Sequence, residues 1–248
     1  MRLSVRGWVG AAACVLLAAC VTPAASAQTI DDLLARNLES RGGLDRLRAV
    51  TTIKMIGKIS GRGQDLNVTT WMKRPNLVKQ ELGGKGVTIV QAFDGTRAWT
   101  VNPMTGSQGP SELPSAQADQ LKENSDFDGP LVDYKAKGNT IDLLGPDTLE
   151  GTKVFKLKVT KKGGQAQIVY LDAGTGLERK MTAQTTQPGG QTVTVDQVMS
   201  NYRTVSGLTV PFTIQTIVDG QLVMQVTLET VEINTPIDDA VFRMPVRQ

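Results

Sequence analysis

From Thr51 onward the chain alternates apolar and polar residues with a period of two, and this pattern persists almost to its end. Ile53, Met55 and Ile59 alternate with Lys54 and Lys58, and Gly61-Arg62-Gly63 then turns the chain into Leu66, Val68, Thr70 and Met72. Further runs centre on Lys79, Ile89, Trp99, Leu143, Leu157, Val169, Met181, Val195, Ile214 and Leu228. Glycine and Asp-Gly turns separate them, among them Asp94-Gly95, Gly163-Gly164, Gly189-Gly190 and Asp219-Gly220. Roughly ten or eleven strands joined this tightly can only meander. A meander of that length curls into one strongly twisted sheet or an incomplete antiparallel barrel.

Two segments stand outside the alternation. Thr29 is placed to cap a helix with Asp31 and Asp32 in its first turn and Leu33, Leu34 and Leu38 as its apolar stripe; Gly42-Gly43 ends it, and a short helical turn through Leu44 and Leu47 follows. From Pro110 to Gly138 the chain reads as proline-rich loop and short helix, with Ser115 capping a turn that carries Ala116, Ala118 and Leu121. No linker divides the chain, so residues 28–248 are expected to form one domain. Aromatic residues make up only 4%. A sheet with so few large side chains either packs helices against its concave face or leaves a partly empty apolar interior.

The first 27 residues have the form of a secretory signal. Arg2 and Arg6 precede an apolar run from Trp8 to Ala19, too short to span a bilayer stably, and Ala25-Ser26-Ala27 offers a small-residue cleavage site that would leave Gln28 first. A competing signal lies within it. Leu17-Ala18-Ala19-Cys20 resembles a bacterial lipoprotein box, which would leave a lipidated Cys20. Cleavage after Ala27 gives a soluble periplasmic protein and is the reading preferred here; cleavage before Cys20 gives an outer-membrane lipoprotein facing the periplasm.

Loss of Arg2 and Arg6 lowers Lys+Arg from 27 to 25 against 24 acidic residues, and the net charge from +3 to +1. The basic balance of the full chain therefore does not point to nucleic acid. Both cysteines, Cys14 and Cys20, fall in the signal, and the chain has no histidine. Ser-His-Asp and Cys-His catalysis and the usual zinc sites are excluded. No paired carboxylates facing one pocket are legible. Asp31-Asp32 and Asp238-Asp239 fit helix starts, and the expectation is of no enzyme, no cofactor and no metal.

One pair of segments carries a resemblance. Trp71-Met72-Lys73-Arg74-Pro75-Asn76-Leu77-Val78 is followed about twenty residues on by Phe93-Asp94-Gly95-Thr96-Arg97-Ala98-Trp99-Thr100-Val101-Asn102-Pro103. This resembles the LolA-like family of outer-membrane lipoprotein carriers, whose pattern runs Trp-x-Lys-Arg-Pro-Asn-Leu-Phe and then Asp-Gly, Trp and Asn-Pro. The match spans about 33 residues; the amino-terminal helix, the helical insertion and the closing strands agree more loosely. The resemblance implies a mainly β fold with an α lid: an unclosed antiparallel barrel covered by short helices over an apolar cavity for acyl chains. It further implies acylated lipoproteins or lipids as cargo, an inner-membrane lipoprotein-release complex as donor, an outer-membrane acceptor, and a monomer. A membrane-anchored acceptor on Cys20, or an envelope lipid sensor, would use the same fold.

In that family the arginine of the Lys-Arg-Pro motif bonds the lid, and Arg74 holds the matching position. Period two places Met72, Thr70 and Val68 on the same face. A guanidinium at the mouth of an apolar cavity is costly unless carbonyls or a carboxylate meet it. The lid expected from the sequence is Ser115 to Val132. Val78 departs from the family's phenylalanine, which leaves cargo identity open. Alternation nominates Met55, Val68, Met72, Val78, Trp99, Leu121, Met181, Met199, Phe212 and Met224 as cavity lining. Methionines also serve as ordinary core filler, and Trp71 and Trp99 as structural packing.

Overall fold

The computed structural model describes residues 28–246 except 62, 85, 106–108 and 188. Both cleavage signals, including Cys20, lie outside the described residues.

Helix α1 spans Ile30–Ser40 and α2 spans Leu44–Ala49. Thr29 caps α1 as its sequence demands. The Thr29 hydroxyl accepts from the Asp32 amide at 3.2 Å, and the Asp32 carboxylate accepts from the Thr29 amide at 3.0 Å, a reciprocal capping box. The helix stops at Gly42, whose φ of +114° suits glycine; a Cβ there would lie 2.3 Å from the Gly207 carbonyl oxygen.

Strands β1 (Thr52–Gly61), β2 (Gln64–Lys73), β3 (Leu77–Gly84), β4 (Val87–Phe93), β5 (Ala98–Val101) and β6 (Ser111–Glu112) precede α3 (Ser115–Asn124). Strands β7 (Thr140–Leu149), β8 (Thr152–Thr160), β9 (Ala166–Asp172), β10 (Glu178–Thr186), β11 (Thr192–Val205), β12 (Leu208–Val218) and β13 (Gln221–Ile233) follow it. All thirteen form one antiparallel sheet in the order β6-β5-β4-β3-β2-β1-β13-β12-β11-β10-β9-β8-β7. Every neighbour is a hairpin partner except β1 and β13, which join the two halves of the meander. Strands β6 and β7 are left as edges, so the barrel is unclosed. The fold is mainly β with short helices on one face.

Two details differ from the sequence reading. Thirteen strands form where ten or eleven were expected, and β6, with only two residues, is too short to show a period. Ser115 is the first residue of α3 rather than its cap; Pro114 precedes the helix with extended ψ of 148° and no side-chain cap is made.

Register shows which side chains share the covered face. Ala98, Phe93, Val78, Met72, Ile53 and Ile233 form one continuous cross-strand row over β5, β4, β3, β2, β1 and β13. Helix α3 covers the β2–β5 end of this face: Leu121 packs with Met72, Val78, Phe93 and Ala98. Helix α1 covers the other end, where Leu33 and Leu34 pack on Ile141, Leu157, Val159, Val169 and Leu171. Burial of each such aliphatic side chain stabilises the fold by about 1.5–3 kcal/mol. Between these two packed ends, α2 contributes Leu47 and Val50 against Leu208.

The opposite face is polar and laced with ion pairs such as Lys54–Glu232, Lys58–Glu229 and Lys180–Asp196. Asp238 caps a 3-10 turn, Asp239–Phe242, that closes over Trp99 on this side.

Candidate functional site: an apolar cavity under an arginine-held loop

The centre of the covered face is not filled. A cavity of about 210 Å³ lies between α2, the loop carrying Phe127 and Asp128, and strands β1, β2, β12 and β13. Its walls are Leu47, Val50, Ile53, Met55, Met72, Leu208, Val210, Ile214, Leu228, Val231 and Ile233, with Arg41, Phe127 and Asp128 at the loop side. Cavities lined this way shed water and accept apolar guests.

Arg74 sits where β2 ends and directs its guanidinium under the loop. Its Nε donates to the Val50 carbonyl at 2.6 Å and Nη2 to the Leu47 carbonyl at 3.0 Å, the latter also accepting the Val50 N–H that closes α2. The same guanidinium forks onto Asp128, Nη1 to Oδ2 at 2.9 Å and Nη2 to Oδ1 at 2.6 Å. It also lies 5.1 Å from the Phe127 ring centre. All of the fork's neighbours are thus backbone carbonyls, a carboxylate and a π face, which offset the cost of placing a cation beside an apolar cavity.

Burial works against the Asp128 charge, but hydrogen bonding and charge from Arg74, with the charges of Lys137 and Arg41, outweigh it and hold the carboxyl below the usual carboxylate range. Arg74 is correspondingly raised, first by its hydrogen bond to Asp128. Arg41 reaches the loop from α1: its Nη1 donates to the Asp128 carbonyl oxygen at 3.2 Å and lies 3.9 Å from Glu178. Lys137 ties the loop to itself through Asp126 at 2.6 Å and the Gly129 carbonyl at 2.7 Å. Asp133 receives Arg48 of α2 at 3.0 Å.

Past this loop lies a second chamber of about 430 Å³ between the end of α3 and strands β9–β11. Phe127 and Asp128 line the first chamber, and Pro130, two residues on, lines the second. The Phe127–Pro130 segment therefore stands between them. Met181, Ala183 and Val195 floor the second chamber beside several glutamines.

The nominated lining residues distribute as follows. Met55 and Met72 line the first chamber and Met181 the second. Val78 and Leu121 are packed beside Met72 under α3, and Phe212 packs with Leu228 and Val231 behind the cavity wall. Val68 is buried on the same face, opposite Gly57. Met199 and Met224 share that face by register, opposite Ile214 and Thr216, but border neither chamber. Trp99 requires a correction. Its neighbour Ala98 packs with Met72 and Val78, so alternation turns Trp99 to the other side, where its Nε1 donates to the Phe242 carbonyl at 2.8 Å. Asp128, Phe127 and Arg41 were not singled out from sequence, although Asp126-Phe127-Asp128-Gly129 supplies carboxylates at a turn inside the expected lid.

The same architecture occurs in solved structures. A LolA superfamily protein from Nitrosomonas europaea superposes with a TM-score of 0.59 at 12% identity, over 87% of this chain and 97% of that one. The fold is LolA-like. A DUF1329 family protein from Desulfovibrio piger superposes with a TM-score of 0.60 at 11% identity, over 86% of this chain and 97% of that one. No family model matches the chain by sequence, and no curated protein does. At these identities the LolA-like likeness is one of backbone architecture, and the chemistry of the site rests on this chain's own residues. Among the described residues no helix is long and apolar enough to cross a membrane, and no cluster of acidic residues could hold a metal ion.

Proposed function

We propose that this chain is a carrier of acyl chains in the cell envelope: a periplasmic protein that takes lipoproteins or lipids from the inner membrane and delivers them toward an outer-membrane acceptor. The observation that carries the reading is the apolar cavity beneath a loop that Arg74 grips through Asp128. An acyl chain of about 16 carbons costs on the order of 12 kcal/mol to hold in water, at ~0.8 kcal/mol per methylene. A carrier needs an apolar pocket to offset that cost and a means of opening it.

Arg74 supplies the means in this reading. Cargo entering between α2 and the Phe127–Asp128 segment must part Arg74 from Asp128 or from the α2 carbonyls. Those bonds re-form when cargo leaves, so the empty, closed state favours release. Met55 and Met72 suit the pocket because unbranched thioether side chains adapt to varied guests. No reacting group is needed, and the role is binding rather than catalysis.

The Leu17–Cys20 box supports a second reading on the same pocket, an anchored acceptor held by acyl groups on Cys20. The test is a release assay. The purified chain, starting at Gln28, is added to spheroplasts displaying a newly made acylated lipoprotein. A carrier brings that lipoprotein into the soluble fraction. Failure to do so, with native protein whose mass begins at an acylated Cys20, favours the acceptor.

A further inference from the structure

The second chamber differs from the first in one respect that its size does not explain. Two cross-strand rows of the covered face run into it. One reads Leu143, Leu157, Val169, Met181, Gln197, Thr216 and Met224; the other reads Ile141, Val159, Gln167, Ala183, Val195 and Val218. Both rows are apolar where α1 covers them, and each places a glutamine inside the chamber, Gln167 and Gln197. The two amides flank Met181 and Ala183, and the small alanine leaves the space above it open. Neither amide makes a hydrogen bond to another described residue, so each presents a free carbonyl and a free NH₂ to the chamber.

The chamber also carries no net charge. Its lining holds one cation and one carboxylate, Lys161 and Glu123, and these are paired with each other at 2.6 Å. A phosphate headgroup would find no free cation. A hydroxyl, which both donates and accepts, matches an amide that does the same. Gln120, Gln165, Gln184 and Thr185 stand with these two amides around the Met181–Ala183 floor, so the wall offers several neutral donors and acceptors to a hydroxyl-bearing group. A peptide cannot add here as a strand, because β9, β10 and β11 are each paired on both sides.

Resting on the carrier reading above, we propose that the second chamber holds the uncharged, hydroxyl-bearing headgroup of a lipid whose acyl chain occupies the first, with the Phe127–Pro130 segment lying across the junction. The cargo class is thereby a neutral glycolipid rather than an anionic phospholipid.

The test uses the Gln28–Gln248 protein, a fluorescent 16-carbon fatty acid as reporter of the apolar chamber, and three competitors with the same acyl chains: monoglucosyl diacylglycerol, phosphatidylglycerol and a diacylated peptide. The expected result is displacement by the glucosyl lipid at a concentration at least tenfold below the other two. The double variant Gln167→Leu/Gln197→Leu loses that preference and keeps the affinity for the fatty acid, which also reports that it has folded. Gln197→Ala, at an exposed position, reduces the preference severalfold. Equal displacement by all three, a preference for phosphatidylglycerol or the peptide, or a preference unchanged in the double variant overturns the headgroup site and leaves the carrier reading in place. If the fatty acid itself does not bind, the carrier reading falls and the headgroup site falls with it.

Discussion

Arg74 and Asp128 are joined by two hydrogen bonds of 2.6 and 2.9 Å across 54 positions of sequence, tying the end of β2 to the loop over the cavity. The pair is neither on the surface nor fully buried, with side-chain exposures of 29% and 16%. In the proposed carrier that bond holds the loop and gives way to cargo.

Replacing Arg74 by leucine leaves Asp128 facing an apolar cavity without its fork and the Val50 carbonyl without its donor, while the Leu47 carbonyl keeps only the Val50 N–H. The expected cost is about 2 kcal/mol, below the ~3–5 kcal/mol of a fully buried pair because both partners keep some solvent. Urea denaturation checks the magnitude, and amide exchange of residues 126–132 should quicken. Arg74→Lys should recover only part of the loss, since an ammonium cannot reproduce the fork.

The pH dependence follows from Asp128. Its folded pKa lies below the unfolded value of about 3.9, so its contribution is present above that value and is lost as pH falls through the lower folded one. Stability of the parent protein should therefore drop from pH 4 toward pH 2 more steeply than that of Asp128→Asn, which lacks the charge at every pH. Parallel urea midpoints at pH 7, 4 and 3 would show the two proteins converging; equal slopes would mean the pair contributes nothing.

Met55 faces the first chamber from β1 and is only partly buried. Met55→Trp puts an indole into the void. Affinity for a fluorescent 16-carbon fatty acid should fall at least tenfold, about 1.4 kcal/mol, while the urea midpoint changes little.

Trp99 provides the contrasting case. Trp99→Phe removes the bond to the Phe242 carbonyl and leaves a small gap, at a cost of about 1–2 kcal/mol. Because Trp99 lies on the far side of the sheet, fatty-acid affinity should be unchanged. A loss of affinity at equal stability would return Trp99 to the cavity.

The sheet could be read from the chain because period-two alternation and glycine turns are local properties. Thr29 with Asp32, and Gly42 at the helix end, were legible for the same reason. Asp219 and Gly220, with φ of +47° and +81°, make the tight hairpin their order predicts. Arg74 was singled out through its motif, but its partner was not: Asp128 lies 54 positions away in a segment without periodicity. Trp99 was misplaced because alternation states that neighbours face opposite ways without stating which way is inward. Gln167 and Gln197 escaped notice because a glutamine on a strand looks like a solvent-facing residue until register puts it beside Met181 and Ala183.

The central claim is that the cavity holds lipid. The most direct measurement is the intact mass of the protein isolated from its native envelope, under non-denaturing and then denaturing conditions. A lipid-filled cavity gives an additional mass of lipid or lipoprotein that is retained in the first spectrum and lost in the second. Identical masses in both, with no uptake when the protein is mixed with an acylated lipoprotein or with lipid, would contradict it.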